Sequence, residues 1–300
     1  MSRTCHMESK APFISVIIPT FNRLELLKET LESVRNQAFR DFELIVVDDG
    51  SSDGTAEWLD EQADIRTIHQ ENSGIAASRN RGAFASRGNW LAFLDHDDLW
   101  SPDKLRVQAE FVQKNPDVGM VSARHVRLGK TIRASGPGRW TKGDLFLEEY
   151  STSFIHTSSV MIRRDVFERV EGFPTCYRFA DEFDVWLKIA AAYPIAYVDR
   201  PLVFIRLYDS NTSHNRVGVR TDTYDILMKH YDPDRIPHRV FLKTLSDHDI
   251  SFGRAYVNAG DPVQAMEWFR NSVKRTPFRL RSWRYYLKYR IKYAFEPNIG

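Results

Sequence analysis

A chain of 300 residues, 42% apolar and 27% charged, can bury one large core, or one core plus a smaller helical appendage, and leaves little room for extensive disorder. Its two cysteines, Cys5 and Cys176, lie far apart, which argues against a disulfide framework or a four-ligand zinc site and fits a reducing compartment. Residues 1–12 lack the apolar centre of a secretory signal, and no apolar run approaches the ~18 residues of a membrane span. The expected location is cytoplasmic, free or held at the inner face of the plasma membrane; a formal charge of +2 singles out no class of partner.

Phe13 to Ile18 is a β-branched run stopped by Pro19, a first buried strand. Leu24, Leu27, Leu31 and Val34 then recur at helical spacing over 24–36. A second strand, Phe42 to Val47, runs into Asp48-Asp49-Gly50-Ser51-Ser52-Asp53-Gly54. A helix over 55–62, a short strand over 65–69 and a helix over 74–86 follow, leading to the apolar run Trp90-Leu-Ala-Phe-Leu94. Strands alternating with helices at this spacing predict a parallel sheet with helices on both faces. Beyond Gly119 the pattern is mixed: strands at 118–126 and 158–163, helices at 164–170 and 183–192, and strands at 195–198 and 203–207. A Gly-, Pro- and Arg-rich connection spans 127–143, and helices dominate after Ser213.

The run at Trp90 ends in Asp95-His96-Asp97-Asp98, three acids in four positions. Clustered carboxylates at the end of a buried strand repel one another and resist desolvation. Asp95 and Asp97 are two apart and leave an extended strand end on one face, which suits a hard divalent cation with oxygen ligands. The alternative is a solvated turn with Asp98 or Ser101 capping a helix that has Pro102 in its first turn. Ligands gather at the carboxyl ends of parallel strands. The three polar ends here, Pro19-Thr20-Phe21-Asn22, Asp48-Asp49-Gly50-Ser51 and the acid cluster, favour one shared site.

With these segments in order, the chain resembles the family 2 glycosyltransferases, nucleotide-sugar enzymes of the GT-A fold. The matching pieces are Val16–Arg23, Leu44–Thr55, Asn72–Gly82, Phe93–Asp98, Ser158–Arg163 with Glu171-Gly172-Phe173, and Asp181–Leu187. The resemblance implies an α/β fold with a mixed, mainly parallel sheet flanked by helices, and a helical C-terminal extension. It further implies a flexible 1–12, a transferase domain over 13–215 and an extension over 216–300. Pro19, Thr20, Asn22, Asp48, Asp49 and Arg79 match nucleotide-binding positions, with Thr20 and Asp49 on the base and Asp48 able instead to orient Arg79 or its own loop. Asp95 and Asp97 match the Asp-x-Asp motif, with Asp97 on Mn2+ or Mg2+ and Asp95 on ribose or the metal's water. Asp98 is then expected to cap the next helix and His96 to face solvent. An inverting transfer needs a base. The family supplies it from a Glu-Asp pair that here stands reversed as Asp181-Glu182; position favours Glu182, residue type favours Asp181, and Asp184 is an outside candidate. Trp186 is expected in the core. Tyr208 stands where relatives often carry a His, which leaves a third metal ligand open, with His214 as a candidate.

Ala255, Gly260, Ala265, Phe269 and Pro277 are spaced like one tetratricopeptide helical hairpin, which cannot bury its faces alone. From Arg270 to Lys292 there are nine Lys or Arg residues, no acid and many aromatics. That composition suits an anionic membrane surface or a terminal helix packed on the core, and fits nucleic acid less well.

The expected activity is metal-dependent, inverting addition of a single sugar from a nucleotide sugar, a UDP-sugar, to a glycan or lipid-linked acceptor in cell-surface polysaccharide synthesis. The chain lacks the Gln-x-x-Arg-Trp motif and the membrane spans of the processive relatives. A nucleotidyltransferase on a similar sheet would want a glycine-rich, basic loop where Pro19–Asn22 stands. A non-catalytic nucleotide-sugar scaffold has only the Asp181-Glu182 reversal in its favour.

Overall fold

β-Branched runs form strands here because side chains stiff at χ1 fit a pleated surface covered on both faces. In the computed structural model, which describes residues 11–128, 139–206 and 216–294, β1 (Ile14–Thr20), β2 (Phe42–Asp48), β3 (Arg66–His69) and β4 (Trp90–Phe93) run parallel in the order β3-β2-β1-β4. Helices α1 (Leu24–Arg35), α2 (Thr55–Asp60) and α3 (Ile75–Ala85) connect them. α1 buries Leu27, Leu31 and Val34, the residues whose spacing predicts it. α3 approaches the sheet closely at Gly82, where a Cβ would stand 2.6 Å from Ile17 Cγ2 and 3.0 Å from Val47 Cγ2.

The sheet continues through β5 (Leu99–Trp100), β6 (Met120–Arg127), β7 (Trp140–Gly143), β8 (Met161–Arg163) and β9 (Ile195–Ile205). β8 runs antiparallel to β4 and β6; β9 runs parallel to β6 and antiparallel to β5 and β7. The long registers belong to the parallel pairs, so the expected mixed, mainly parallel sheet is what forms. Between these strands the chain forms α4 (Lys104–Lys114), α5 (Phe146–Thr152), α6 (Arg164–Arg169) and α7 (Asp181–Ala192).

Three local expectations need correction. The two strands at 195–198 and 203–207 are one strand, β9, whose register against β6 shifts around Arg124. Asp199-Arg200-Pro201 reads as a break in sequence, but a bulge accommodates the proline and the extra residues without ending the strand. The strand expected over 158–163 begins with a 3-10 turn at Thr157–Ser159 and keeps only Met161–Arg163. β5 and β7 were not anticipated, being two and four residues long.

By compactness the chain divides into a unit of residues 1–145, 155–175 and 188–207 and a unit of 146–154, 176–187 and 208–300. The first holds the sheet. The second contains α8 (Arg216–Lys229), α9 (His238–Ala259), α10 (Pro262–Arg275) and α11 (Leu280–Ala294). Gly260 takes a left-handed conformation to end α9, and Asp261 caps α10 by accepting from Gln264 N at 3.0 Å, with Pro262 next in line. The two helices return antiparallel: Ser246 Oγ meets Ser272 Oγ at 2.8 Å, Asp249 meets Arg275 at 2.8 Å, and Phe269 lies against Gly253. The tetratricopeptide-like spacing thus folds as a helical hairpin with Ala265 and Phe269 buried. Cys5, Tyr208, His214 and most of the 127–143 connection lie outside the described residues.

Candidate functional site

The loops after β1, β2 and β4 meet because their strands are neighbours and end at the same edge. Asn22, in a left-handed conformation (φ 50°), accepts from Ser52 N at 2.7 Å, and its own N–H donates to Ser51 Oγ at 2.9 Å. Asp53 takes the N–H of Leu24 at 3.1 Å, so the second loop caps the first helix of the sheet. The His96 ring donates to the Pro19 carbonyl, tying the acid turn to the first loop. Sequence proximity alone would suggest none of these ties.

Within this frame Thr20 is buried, and its Oγ1 has no hydrogen-bond partner among the described residues. A buried hydroxyl left this way costs stability unless something completes it. Asp49 is committed to the loop before α3: Oδ1 accepts from Gln70 Nε2 at 2.7 Å and Ser73 N at 2.8 Å, and Oδ2 from Gly74 N at 2.9 Å. Two carboxylate oxygens offer about four acceptor directions, which leaves room for one further donor. Asp48 turns onto its own loop, accepting from Ser51 N at 3.2 Å, and lies 3.2 Å from His69 Nδ1. Of the two roles open to Asp48, the loop is the one its contacts fill. Arg79 is buried on α3, pairs with Asp95 at 2.7 Å, and has its guanidinium 5.3 Å from the Phe173 ring centre.

The acid turn separates its carboxylates by environment. Burial works against ionisation of Asp95, but the adjacent Arg79 guanidinium holds it below the usual carboxylate range. Asp97 has no such neighbour so close, and burial together with the Asp95 charge pushes it up to about 6. Asp98 is buried and raised well above the ordinary range, first by burial and then by Asp95. Ser158 donates to Asp98 Oδ2 at 2.6 Å while accepting from Asp95 N at 3.2 Å, so one hydroxyl fixes both ends of the turn.

Two expectations fail here. Asp98 does not cap a helix: α4 begins later, after Asp103, and the Asp98 side chain points inward to Ser158. His96 does not face solvent; it is half-buried, and burial lowers its basicity. Three further residues belong to the site. His156 lies 3.9 Å from Asp98, with burial taking it down to about 4, and its ring sits 5.0 Å from that of His125. The Arg206 backbone N–H donates to Asp98, and Arg23 and Arg206 are the cations that draw Asp97 down against burial. Ser158 was visible in its motif; His156 carries no comparable signal.

In the second unit Asp181 and Glu182 open α7, Asp181 with 2% of its surface exposed and Glu182 half-buried. Asp184 is fully buried, its Oδ1 taking Lys229 Nζ at 2.7 Å and His230 Nε2 at 2.8 Å, an arrangement that holds α7 to α8. Trp186 is buried in the core, as expected.

Among the described residues no three His, Cys, Asp or Glu side chains form a ready cage for a metal. The donors present still fit Mn2+ or Mg2+. Such ions are commonly held by one or two carboxylates, with phosphate oxygens and water completing the shell. Asp98 is raised too but is covered and bonded to Ser158, so Asp97, pushed up by burial and a neighbouring negative charge and less covered, is the carboxylate more open to a cation.

The family described as glycosyl transferase family 2 matches residues 15–171. A Rickettsia conorii glycosyltransferase of uncharacterised role is 32% identical over 199 residues, 65% of this chain. The chain spans about a third of the length of such relatives, 33% in that case. Bacillus subtilis TuaG, a glycosyltransferase named for teichuronic acid biosynthesis, is 40% identical over 113 residues, covering 36% of this chain and 45% of its own. Among solved structures, S. aureus TarS with UDP-GlcNAc superimposes at TM-score 0.60 with 15% identity, covering 93% of this chain and 92% of that one. The Pyrobaculum calidifontis mannosyltransferase PcManGT with GDP-Man and Mn2+ gives 0.59 with 21% identity, covering 97% and 89%. At these identities the structural likeness carries the fold, GT-A.

Proposed function

Because the chain belongs to glycosyltransferase family 2, we propose that it moves a sugar from a nucleotide donor, a UDP-sugar, to a hydroxyl of a glycan or lipid-linked acceptor, with inversion. The observation that carries this reading is the division of charge in the acid turn, where Asp95 is neutralised by Arg79 and Asp97 is left raised to about 6. The unpartnered Thr20 hydroxyl and the one open acceptor direction on Asp49 suit the edge of a nucleobase. TarS and PcManGT are seen with UDP-GlcNAc and with GDP-Man and Mn2+, and TuaG is named for a cell-surface polysaccharide. These support the donor class, the cation and the acceptor class.

In the reaction the acceptor oxygen attacks the anomeric carbon. The bond from that carbon to the diphosphate oxygen breaks, and its electron pair leaves with the nucleoside diphosphate. The acceptor's proton passes to a carboxylate at the start of α7. We take Glu182 as that carboxylate, since a base must meet an incoming hydroxyl and Asp181 is almost wholly covered. When bound, a divalent cation on Asp97 would offset the charge on the departing diphosphate. Thr20, Asp49 and Asn22 position the nucleoside, and Arg79 keeps Asp95 ionised and oriented.

The test is donor turnover with Mn2+ or Mg2+ in Asp97→Ala, Glu182→Gln and Asp181→Asn. Asp97→Ala should abolish turnover and the joint thermal stabilisation by UDP and Mn2+. Full activity in that variant would remove the metal from Asp97. Glu182→Gln should lower transfer by orders of magnitude with donor binding intact. If Asp181→Asn does so instead, the base is Asp181.

A further inference from the structure

Helix α11 sorts the basic-aromatic segment into two faces. Tyr285 and Tyr289 turn inward, their rings 5.9 and 4.9 Å from that of Phe269 in the hairpin. Opposite them, Leu280, Trp283, Leu287 and Ile291 recur at i, i+3, i+7 and i+11, which is one helical stripe. That stripe is exposed, at 87%, 39%, 44% and 60%, and Phe278 just ahead of it is 99% exposed. Single exposed apolar residues need no explanation, but four along one helical stripe do, with a fifth, Phe278, in the turn that leads into the helix. Exposed Arg284 and Lys288 border the stripe on one side and Arg290 on the other, with Lys292 beyond, and no acid occurs from Arg270 to Lys292.

We propose that α11 lies in the surface of an anionic lipid bilayer, with Phe278, Leu280, Trp283, Leu287 and Ile291 entering the boundary between headgroups and acyl chains. Arg284, Lys288, Arg290 and Lys292 then reach the lipid phosphates on their long apolar stems. The distribution of charge selects this occupant. A second copy laid on the same stripe would bring two acid-free, basic helices together. A nucleic acid would meet an apolar centre where it needs cations. Only a surface that is apolar within and anionic at its rim matches both features. The placement does not depend on the glycosyl-transfer reading, since it uses none of the residues of the acid turn or of the loops beside it.

The test is co-sedimentation of the full chain with vesicles of equal parts phosphatidylcholine and phosphatidylglycerol, against vesicles of phosphatidylcholine alone, at physiological ionic strength. The anionic vesicles should bind the chain and the neutral ones far less. The triple variant Arg284→Gln, Lys288→Gln, Arg290→Gln should lose about fivefold in partitioning per cation, on the order of a hundredfold in all. Leu287→Ser with Ile291→Ser should lose on the order of tenfold or more. All five sites are exposed, so far-UV circular dichroism and the melting temperature should stay unchanged and show that the variants are folded. Equal binding to neutral vesicles, or unchanged partitioning of both variants, would overturn the proposal. So would a wild-type dimer that dissociates in the Leu287→Ser, Ile291→Ser variant, which would assign the stripe to a second copy.

Discussion

Asp97→Asn should make the metal-free protein more stable, and the gain should depend on pH in a way that identifies its cause. The Asp97 carboxyl is raised from 3.8 to about 6, chiefly by burial and then by the Asp95 charge. A carboxyl with a folded pKa above its unfolded value holds its proton more tightly in the folded state. Stability therefore falls as pH rises through the window from about 4 to 6 and stays lowered above it. A shift of that size corresponds to about 3 kcal/mol at neutral pH. Asp97 is partly reached by solvent, which reduces the expected gain to about 1–2 kcal/mol. For a chain of this size that is a rise in melting temperature of about 2–3 °C. The assay is thermal unfolding of wild type and variant with chelator present, from pH 4 to 8. The curves should coincide at the acid end and separate above pH 6. A constant offset across the range, or a less stable variant at pH 7.5, would refute the electrostatic account of this turn.

Removing the Ser158 hydroxyl with Ser158→Ala leaves Asp95 N and the Asp98 carboxyl without that partner, and should cost about 1–3 kcal/mol in urea unfolding. Gly82→Ala places a methyl 2.6 Å from Ile17 Cγ2 and should cost about 1–3 kcal/mol by the same measurement. Arg79→Lys keeps the charge but loses the planar guanidinium facing Phe173; donor affinity should fall at least tenfold by calorimetry, with smaller loss of stability than in Arg79→Ala.

The first half of the fold was legible because each of its elements is local. β1, α1, β2 and α3 fall within a residue or two of the ranges read from periodicity, and the parallel order follows from their alternation. The failures lie where a distant partner decides. Asp199-Arg200-Pro201 looks like a break until β6 supplies a bulged register for it. β5 is a strand only because Leu99 and Trp100 meet Phe204 and Val203. The site divides in the same way. Asp95 and Asp97 were marked by their spacing, but the environment of Asp98 is set by Ser158, sixty residues away in sequence. His96 could be assigned to solvent only while Pro19's carbonyl was out of sight.

The charge of the acid turn sets how a cation and a nucleotide would bind beside it. Arg79 cancels Asp95, and the Asp98 carboxyl, raised well above the ordinary range by burial, is covered and bonded to Ser158, so the demand for positive charge falls on Asp97. A dication on one carboxylate leaves a net positive charge that only an anion can satisfy, and a diphosphate supplies both that charge and further oxygen ligands. Cation and nucleotide should therefore bind weakly alone and tightly together, and the coupling must be reciprocal. Calorimetric titration of UDP with and without Mn2+, and of Mn2+ with and without UDP, should give the same ratio of dissociation constants from both directions. In Asp97→Asn that ratio should fall to about one, while Asp98→Asn, which alters a carboxyl already held by Ser158, should retain it. If Asp98→Asn alone removed the coupling, the cation's carboxylate would be Asp98, and the division of labour derived for the turn would be wrong.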